Sequence, residues 1–301
     1  MTFHSNGKLL ITGEYAVLDG ALALALPTKF GQSMEVKKLK KPELVWISYD
    51  NYNQIWFETR IAIADLLNDE KPSMDAYEKP LRNLFRAVAK LNPGFFNHNS
   101  GFEVVTKLDF PRSWGLGSSS TLIHNIAQWT EVNPYLLLES SFGGSGYDIA
   151  CAGSQRPVLY KLTKGKPSVS WANFNPPFSN NLFFVHLNRK QNSREGIQHY
   201  RSLPNKKNLV QEVTEITNKI VESNTLKEFS EWMEKHENLI ASVIKLPKVK
   251  ELYFSDYTGA IKSLGAWGGD FVLAAGGVDS PEYFRGKGYF TVIPFDGMII
   301  N

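Results

Sequence analysis

Residues 113–129 read SWGLGSSSTLIHNIAQW. Glycines and serines stand directly before Leu122, Ile123, Ile126 and Trp129, which share one face of a helix. The preceding residues, GFEVVTKLDF, alternate like a strand that ends near Phe110. The pattern predicts a strand, a turn through Gly115 and Gly117, and a helix from about Ser118. Glycines let a backbone approach a ligand closely. The free amides of a helix start bind anions. Serine hydroxyls add donors, and one could coordinate a phosphate-bound Mg²⁺. A plain strand-to-helix turn with serine caps would read the same way. No G-x-x-x-x-G-K-[ST] string is present, and no third glycine completes G-x-G-x-x-G.

The rest of the chain narrows the choice. Its 301 residues are 43% hydrophobic, enough for one large core or two smaller ones. With 33 basic and 30 acidic residues the net charge is +3, which gives no electrostatic footprint for nucleic acid. The single cysteine, Cys151, excludes an intramolecular disulfide and suits a reducing compartment. The histidines lack zinc spacing. The start, MTFHSNGKLL, does not look like a signal peptide, and no apolar run is long enough to span a membrane. A cytoplasmic protein with no membrane or nucleic-acid partner is expected.

Around the opening stretch, LVWISYD and QIWFETR read as a strand pair. Leu81, Leu84, Phe85 and Val88 repeat at helical spacing. Helices are predicted over Leu209–Val221, Leu226–Ile244 and Val249–Leu264, with strands at NLFFVHLNR and FVLAAGG. Strands and helices mix without regular βαβ alternation, so the class is α+β. The domain boundary is placed in NFNPPFSNN, giving domains 1–172 and 173–301.

Further elements bear on chemistry. GGSGYDIACAG, from Gly143 to Gly153, sets Asp148 among small and apolar residues, as a helix cap or as a base. LGAWGGDF, from Leu264, reads as a glycine turn closing a helix. At the N-terminus, NGKLLITGEYAVLDG carries Lys8 before an apolar strand and Glu14 in an apolar run. An enclosed carboxylate there needs a partner, either Lys8 or a substrate hydroxyl.

In order and spacing these elements resemble the GHMP kinases, named for galactokinase, homoserine kinase, mevalonate kinase and phosphomevalonate kinase. GKLLITGEYAVLDG is similar to their first motif and GLGSSS to the second, the ATP-phosphate loop. GSGYDIA resembles the segment with the catalytic Asp, and GAWGGDF the third motif. GEYAVL and GSGYDIA look closest to the mevalonate and phosphomevalonate branch, as a GYDIA-type subgroup. Asn6 stands where the first motif usually has proline, and Trp267 replaces a glycine in the third.

The resemblance implies an N-terminal domain like ribosomal protein S5 domain 2, a ferredoxin-like C-terminal domain and an active site in the cleft between them. It implies an ATP- and Mg²⁺-dependent transferase of the mevalonate pathway of isoprenoid synthesis, phosphorylating mevalonate, phosphomevalonate or a similar acceptor, as monomer or homodimer. Asp148 and Lys8 would be catalytic. Gly115, Leu116, Gly117, Ser118, Ser119 and Ser120 would bind ATP. Ser119 and Glu139, with Glu131 as the other candidate, would bind the metal. Glu14, Tyr15, Ser145, Gly146, Ser193, Arg194, Gly268 and Gly269 would contact substrate. Trp267 would narrow the phosphate pocket, stack on a ligand, or pack. Competing readings are a mevalonate-diphosphate decarboxylase-like enzyme, a kinase for another small alcohol or sugar, and an inactive ligand-binding regulator.

Overall fold

The computed structural model describes residues 1–68, 76–96, 100–189, 193–204, 206, 208–265 and 267–300, with the backbone alone for Ser193 and Arg194. The chain divides into two compact units. The first comprises residues 1–7, 30–112 and 116–153, and the second residues 8–29, 113–115 and 154–301.

Strands β1 (Thr2–Leu10) and β2 (Ala23–Leu39) give residues to both units. In the first unit, the later half of β2 pairs antiparallel with β5 (Gly101–Leu108), placing Val36 opposite Val104. β3 (Glu43–Tyr49) runs parallel to β5 and antiparallel to β4 (Ile55–Ala62). Alternate residues Leu44, Trp46, Phe102 and Val104 point to one face, as a period of two requires. Helix α1 (Ile63–Leu67) closes the end of β4, and α2 (Glu78–Leu91) lays Leu81, Leu84, Phe85 and Val88 into the same core. These are the residues that the helical spacing predicts. Helix α3 (Ser118–Thr130) adds Ile123, Ile126 and Trp129. Helices α4 (Pro134–Ser141) and α5 (Tyr147–Ala152) complete the layer with Leu137, Leu138 and Ile149.

In the second unit, β6 (Val158–Thr163) pairs with the start of β2 and with β7 (Lys166–Trp171). A separate antiparallel sheet has the order β11-β8-β10-β9, from β8 (Leu182–His186), β9 (Ala260–Ser263), β10 (Phe271–Ala275) and β11 (Val292–Pro294). Its central strands are buried along their whole length, which explains their continuous apolar run. Helices α6 (Ser193–Ser202), α7 (Leu209–Glu222), α8 (Leu226–Ile244) and α9 (Val249–Tyr253) precede β9. Helices α10 (Ser280–Gly286) and α11 (Phe295–Met298) follow β10.

One predicted element is corrected. The helix expected over 249–264 stops at Tyr253, and Ala260–Ser263 is a strand paired with β10. The third glycine loop therefore joins two antiparallel strands and does not close a helix. The strand shows no alternation because all four of its residues are buried, Lys262 included. Among the described residues no helix is long and apolar enough to cross a membrane.

Candidate active site

Helix α3 starts where the opening stretch predicts. Its N-cap is Gly117, in the left-handed conformation at φ 91°, and no side chain caps the helix. The serines are therefore not caps. They occupy the first turn, where helix geometry leaves the amides without intrahelical carbonyl partners. Thr121 N–H donates to the Gly117 carbonyl at 3.0 Å and closes the turn. Ser120 is buried, and its hydroxyl donates to the same carbonyl at 2.8 Å. Ser118 is half-buried and Ser119 exposed. Leu116 is fully buried and anchors the loop.

The second loop runs through Gly143, Gly144, Ser145 and Gly146, and Gly146 caps α5 in a left-handed conformation. Asp148 sits in the first turn of α5, half-buried, and its Oδ1 accepts from Ile149 N–H at 3.0 Å. Ser145 is half-buried beside it in sequence, and Gly146 is buried. The Tyr135 hydroxyl of α4 is pushed up to about 12, first by burial and then by the nearby Cys151 and Asp148.

The metal donors differ in placement. Ser119 and Glu139 are both exposed, on the first turn of α3 and on α4. Glu131 caps the far end of α3, about 18 Å from Ser119 at 1.5 Å rise per residue, too far to share an ion with it. Among the described residues no group of three or more His, Cys, Asp or Glu is set to hold a metal. Such sparse donors fit an ion carried in on nucleotide phosphates, which would supply most of its oxygen ligands.

In the second unit, Lys8 is half-buried, and its Nζ donates to the Gly115 carbonyl at 2.8 Å. A strand-edge lysine in solvent is not what the structure has. Gly115 itself has φ 64°, and the Asp270 carboxylate fills the space that a Cβ would need. His186 Nε2 lies 3.3 Å from the Ser113 carbonyl, and the Trp114 ring meets Phe271 edge-on at 5.5 Å. The tripeptide Ser113–Gly115, which leads into GLGSSS, is thus clamped by Lys8, His186, Asp270 and Phe271.

Glu14 is 1% exposed, and its partner is Lys262 of β9, with Nζ to Oε1 at 2.6 Å. The sequence points to Lys8 or a substrate hydroxyl for that place. Burial pushes the Glu14 carboxyl up to about 7 despite the attraction of Lys262. Tyr15 has φ 60° and ψ −46°, a strained conformation for a residue with a side chain. Its ring stacks on Tyr200 of α6 at 5.5 Å. A Cβ on Gly196 would come within 2.7 Å of the Tyr15 hydroxyl. Burial, and then Glu14, raise that hydroxyl to about 12. Gly268 and Gly269 lie in the hairpin loop between β9 and β10. Trp267 packs into a core with Val213, Ile240 and Ile244, its Nε1 donating to the Pro247 carbonyl at 3.0 Å, so it is a packing residue. The side chains of Ser193 and Arg194 lie outside the described residues. Lys262, His236, Glu237 and Asp270 escape sequence reasoning, because each gains its setting from residues far along the chain.

No family model and no curated protein matches the sequence. Solved structures match over nearly the whole chain. Methanococcus jannaschii mevalonate kinase superposes with a TM-score of 0.70 at 16% identity, covering 97% of this chain and 96% of that one. Streptococcus pneumoniae phosphomevalonate kinase, solved with phosphomevalonate and AMPPNP, gives 0.72 at 18% identity, covering 100% and 98%. Lactococcus lactis galactokinase, solved with galactose, gives 0.69 at 12% identity, covering 95% and 88%. The chain has the fold of the GHMP small-molecule kinases, as its motifs predict. At these identities the likeness establishes the fold, and it ranks mevalonate-type and sugar kinases almost equally.

Proposed function

We propose that the protein is an ATP-dependent small-molecule kinase that passes the γ-phosphoryl group to a mevalonate-type acceptor, mevalonate or phosphomevalonate. The observation that carries this reading is the start of α3. A left-handed glycine caps a 13-residue helix with no side-chain cap, and Ser118, Ser119 and Ser120 fill its first turn. Lys8 supports it by placing its ammonium on Gly115, the first residue of the same loop. The kinase fold agrees. The choice of acceptor rests on GEYAVL and GSGYDIA, since the fold alone also suits sugars.

Phosphoryl transfer asks a protein for positioning and charge neutralisation more than for covalent chemistry. The amides of Ser118–Ser120 would hold the nucleotide phosphates, with the hydroxyls of Ser118 and Ser119 as further donors. Ser119 and Glu139 would hold Mg²⁺, whose charge would offset that of the phosphate oxygens. Asp148 takes or orients the acceptor's proton. Lys8 neutralises charge on the transferred group. Where the acceptor is itself a phosphate its oxygen is already ionised, so the cations matter more than the base. The residues we assign to the acceptor are Tyr15, Ser145, Gly146, Ser193, Arg194, Gly268 and Gly269. Glu14 serves it from within, through its neighbour Tyr15.

The test is an ADP-release screen with Mg-ATP against mevalonate, phosphomevalonate, homoserine and galactose. Turnover of a mevalonate compound without CO₂ release is the expected result. Turnover of galactose alone would keep the kinase and discard the acceptor. CO₂ release in step with ADP would replace the kinase with a decarboxylase, and no turnover of any acceptor would sink the reading.

A further inference from the structure

Glu14 belongs to a buried group of titratable side chains whose other members, Lys262, His236 and Glu237, have no role in the reading above. Glu14, Lys262, His236 and Glu237 are each 1% exposed or less and meet inside the second unit. Lys262 Nζ lies 2.6 Å from Glu14 Oε1 and 3.8 Å from Glu237 Oε2, and it also donates to the Ser263 carbonyl at 3.0 Å. Glu237 accepts from Ser263 N–H at 3.1 Å and from its hydroxyl at 2.6 Å. His236 Nε2 accepts from Gly13 N–H at 3.1 Å and stands 3.5 Å from Glu14 Oε2. Burial, then Lys262, hold the imidazole well below its ordinary range, so it is neutral. Two carboxylates thus share one ammonium.

A buried cluster of this kind is weak evidence for stability, because desolvation offsets much of the attraction. Its connections are more informative. Glu14 directly precedes the strained Tyr15, and Lys262 and Ser263 lead straight into the third glycine loop. A strained backbone persists only where its surroundings over-determine it, at about 1–3 kcal/mol per residue. Here the Gly13 amide is held by His236, the Glu14 carboxylate by Lys262, and the Tyr15 ring by Tyr200 and Gly196.

We propose that Lys262 is a positioning residue for the acceptor: through its ion pair with Glu14 it fixes the attitude of Tyr15, and through Ser263 it ties that turn to the third glycine loop. This rests on the reading of Tyr15 as an acceptor-side residue. The arrangement also predicts a pH signature. Glu14 is faced by Lys262 from β9, by His236 and Glu237 from α8, and by its neighbour Tyr15; Lys248 acts on Glu237 in turn. Loss of the Glu14 proton near neutrality converts a hydrogen bond between the Lys262 ammonium and a neutral carboxyl into an ion pair.

The experiment compares wild type with Lys262→Met and with the double variant Glu14→Gln/Lys262→Met. The double variant covers the case in which the single one, left with two unpaired buried carboxylates, does not fold. Acceptor KM, ATP KM and kcat are measured from pH 6 to pH 8. Hydrogen exchange of residues 11–21 is followed without substrate. The expected result for a folded variant is an acceptor KM raised tenfold or more, with kcat and ATP KM changed less than threefold. The wild-type dependence of acceptor KM on pH should vanish, and exchange should quicken in 13–19. A folded double variant with wild-type acceptor KM and pH profile overturns the proposal. Should wild type turn over no acceptor, the kinase reading fails by itself. The exchange experiment then decides: unchanged protection of 13–19 overturns the positioning role, and a loosening confined there upholds it.

Discussion

Lys8 and Asp148 differ in how firmly their surroundings hold them, and this sets how each variant should fail. Asp148 is half-buried in a first helical turn and makes a short-range bond to Ile149 N–H. Asn preserves that acceptor and removes the proposed base. Asp148→Asn should therefore lower kcat by about 10²–10⁴-fold, the usual worth of a positioned proton acceptor. Far-UV circular dichroism and Tm should stay at wild-type values. A kcat within threefold of wild type would remove Asp148 from the chemistry. Lys8 donates to the Gly115 carbonyl, so its loss affects both charge and loop. Lys8→Met should cost about 2–4 kcal/mol in kcat/KM, as expected where a cation meets developing charge. Unchanged kcat/KM would leave Lys8 as a loop anchor only.

At the scale of elements, the start of α3 is the sensitive place. Gly117 holds φ 91°, where a side chain costs about 1–2 kcal/mol. Gly117→Ala should lower Tm modestly and weaken AMPPNP binding by tenfold or more, because the turn that aims the amides is distorted. Titration calorimetry measures the second effect, and an unchanged Kd would argue against an anion site there. The hairpin β9–β10 shows where element prediction fails and why. AIKS lies after a helical stretch and contains a lysine, so nothing local marks it as a strand. Its pairing with β10 and the burial of Lys262 are both tertiary events. By contrast α2, α3, α7 and α8 carry clear 3.6-residue periodicity and lie where it predicts.

For the whole molecule, the buried carboxylates make stability depend on pH. The folded Glu14 carboxyl titrates at about 7 against an ordinary value of 4.5, with burial the main cause. Between those values the native state binds more protons than the unfolded state. Its contribution to stability is fully present below the unfolded value and is lost as pH rises through about 7. The loss amounts to about 3 kcal/mol at 1.36 kcal/mol per unit. Tm should therefore fall from pH 5 to pH 8, and Glu14→Gln should flatten that slope. A wild-type Tm independent of pH over this range would show that Lys262 fully compensates the buried carboxylate.

The sequence by itself determined the order of the motif loops, the strand-to-helix turn at Gly115–Ser118, and the faces on which the main helices pack. All of these depend on neighbours within a few turns or on period-two and period-3.6 patterns. Only the tertiary structure decided that Ser120 spends its hydroxyl on Gly117, that Trp267 packs in a core, and that the partner of Glu14 is Lys262, 248 residues away. A buried charge reads in a sequence like an exposed one. What distinguishes the two is the counter-charge that the fold brings up to it, and no local pattern encodes that.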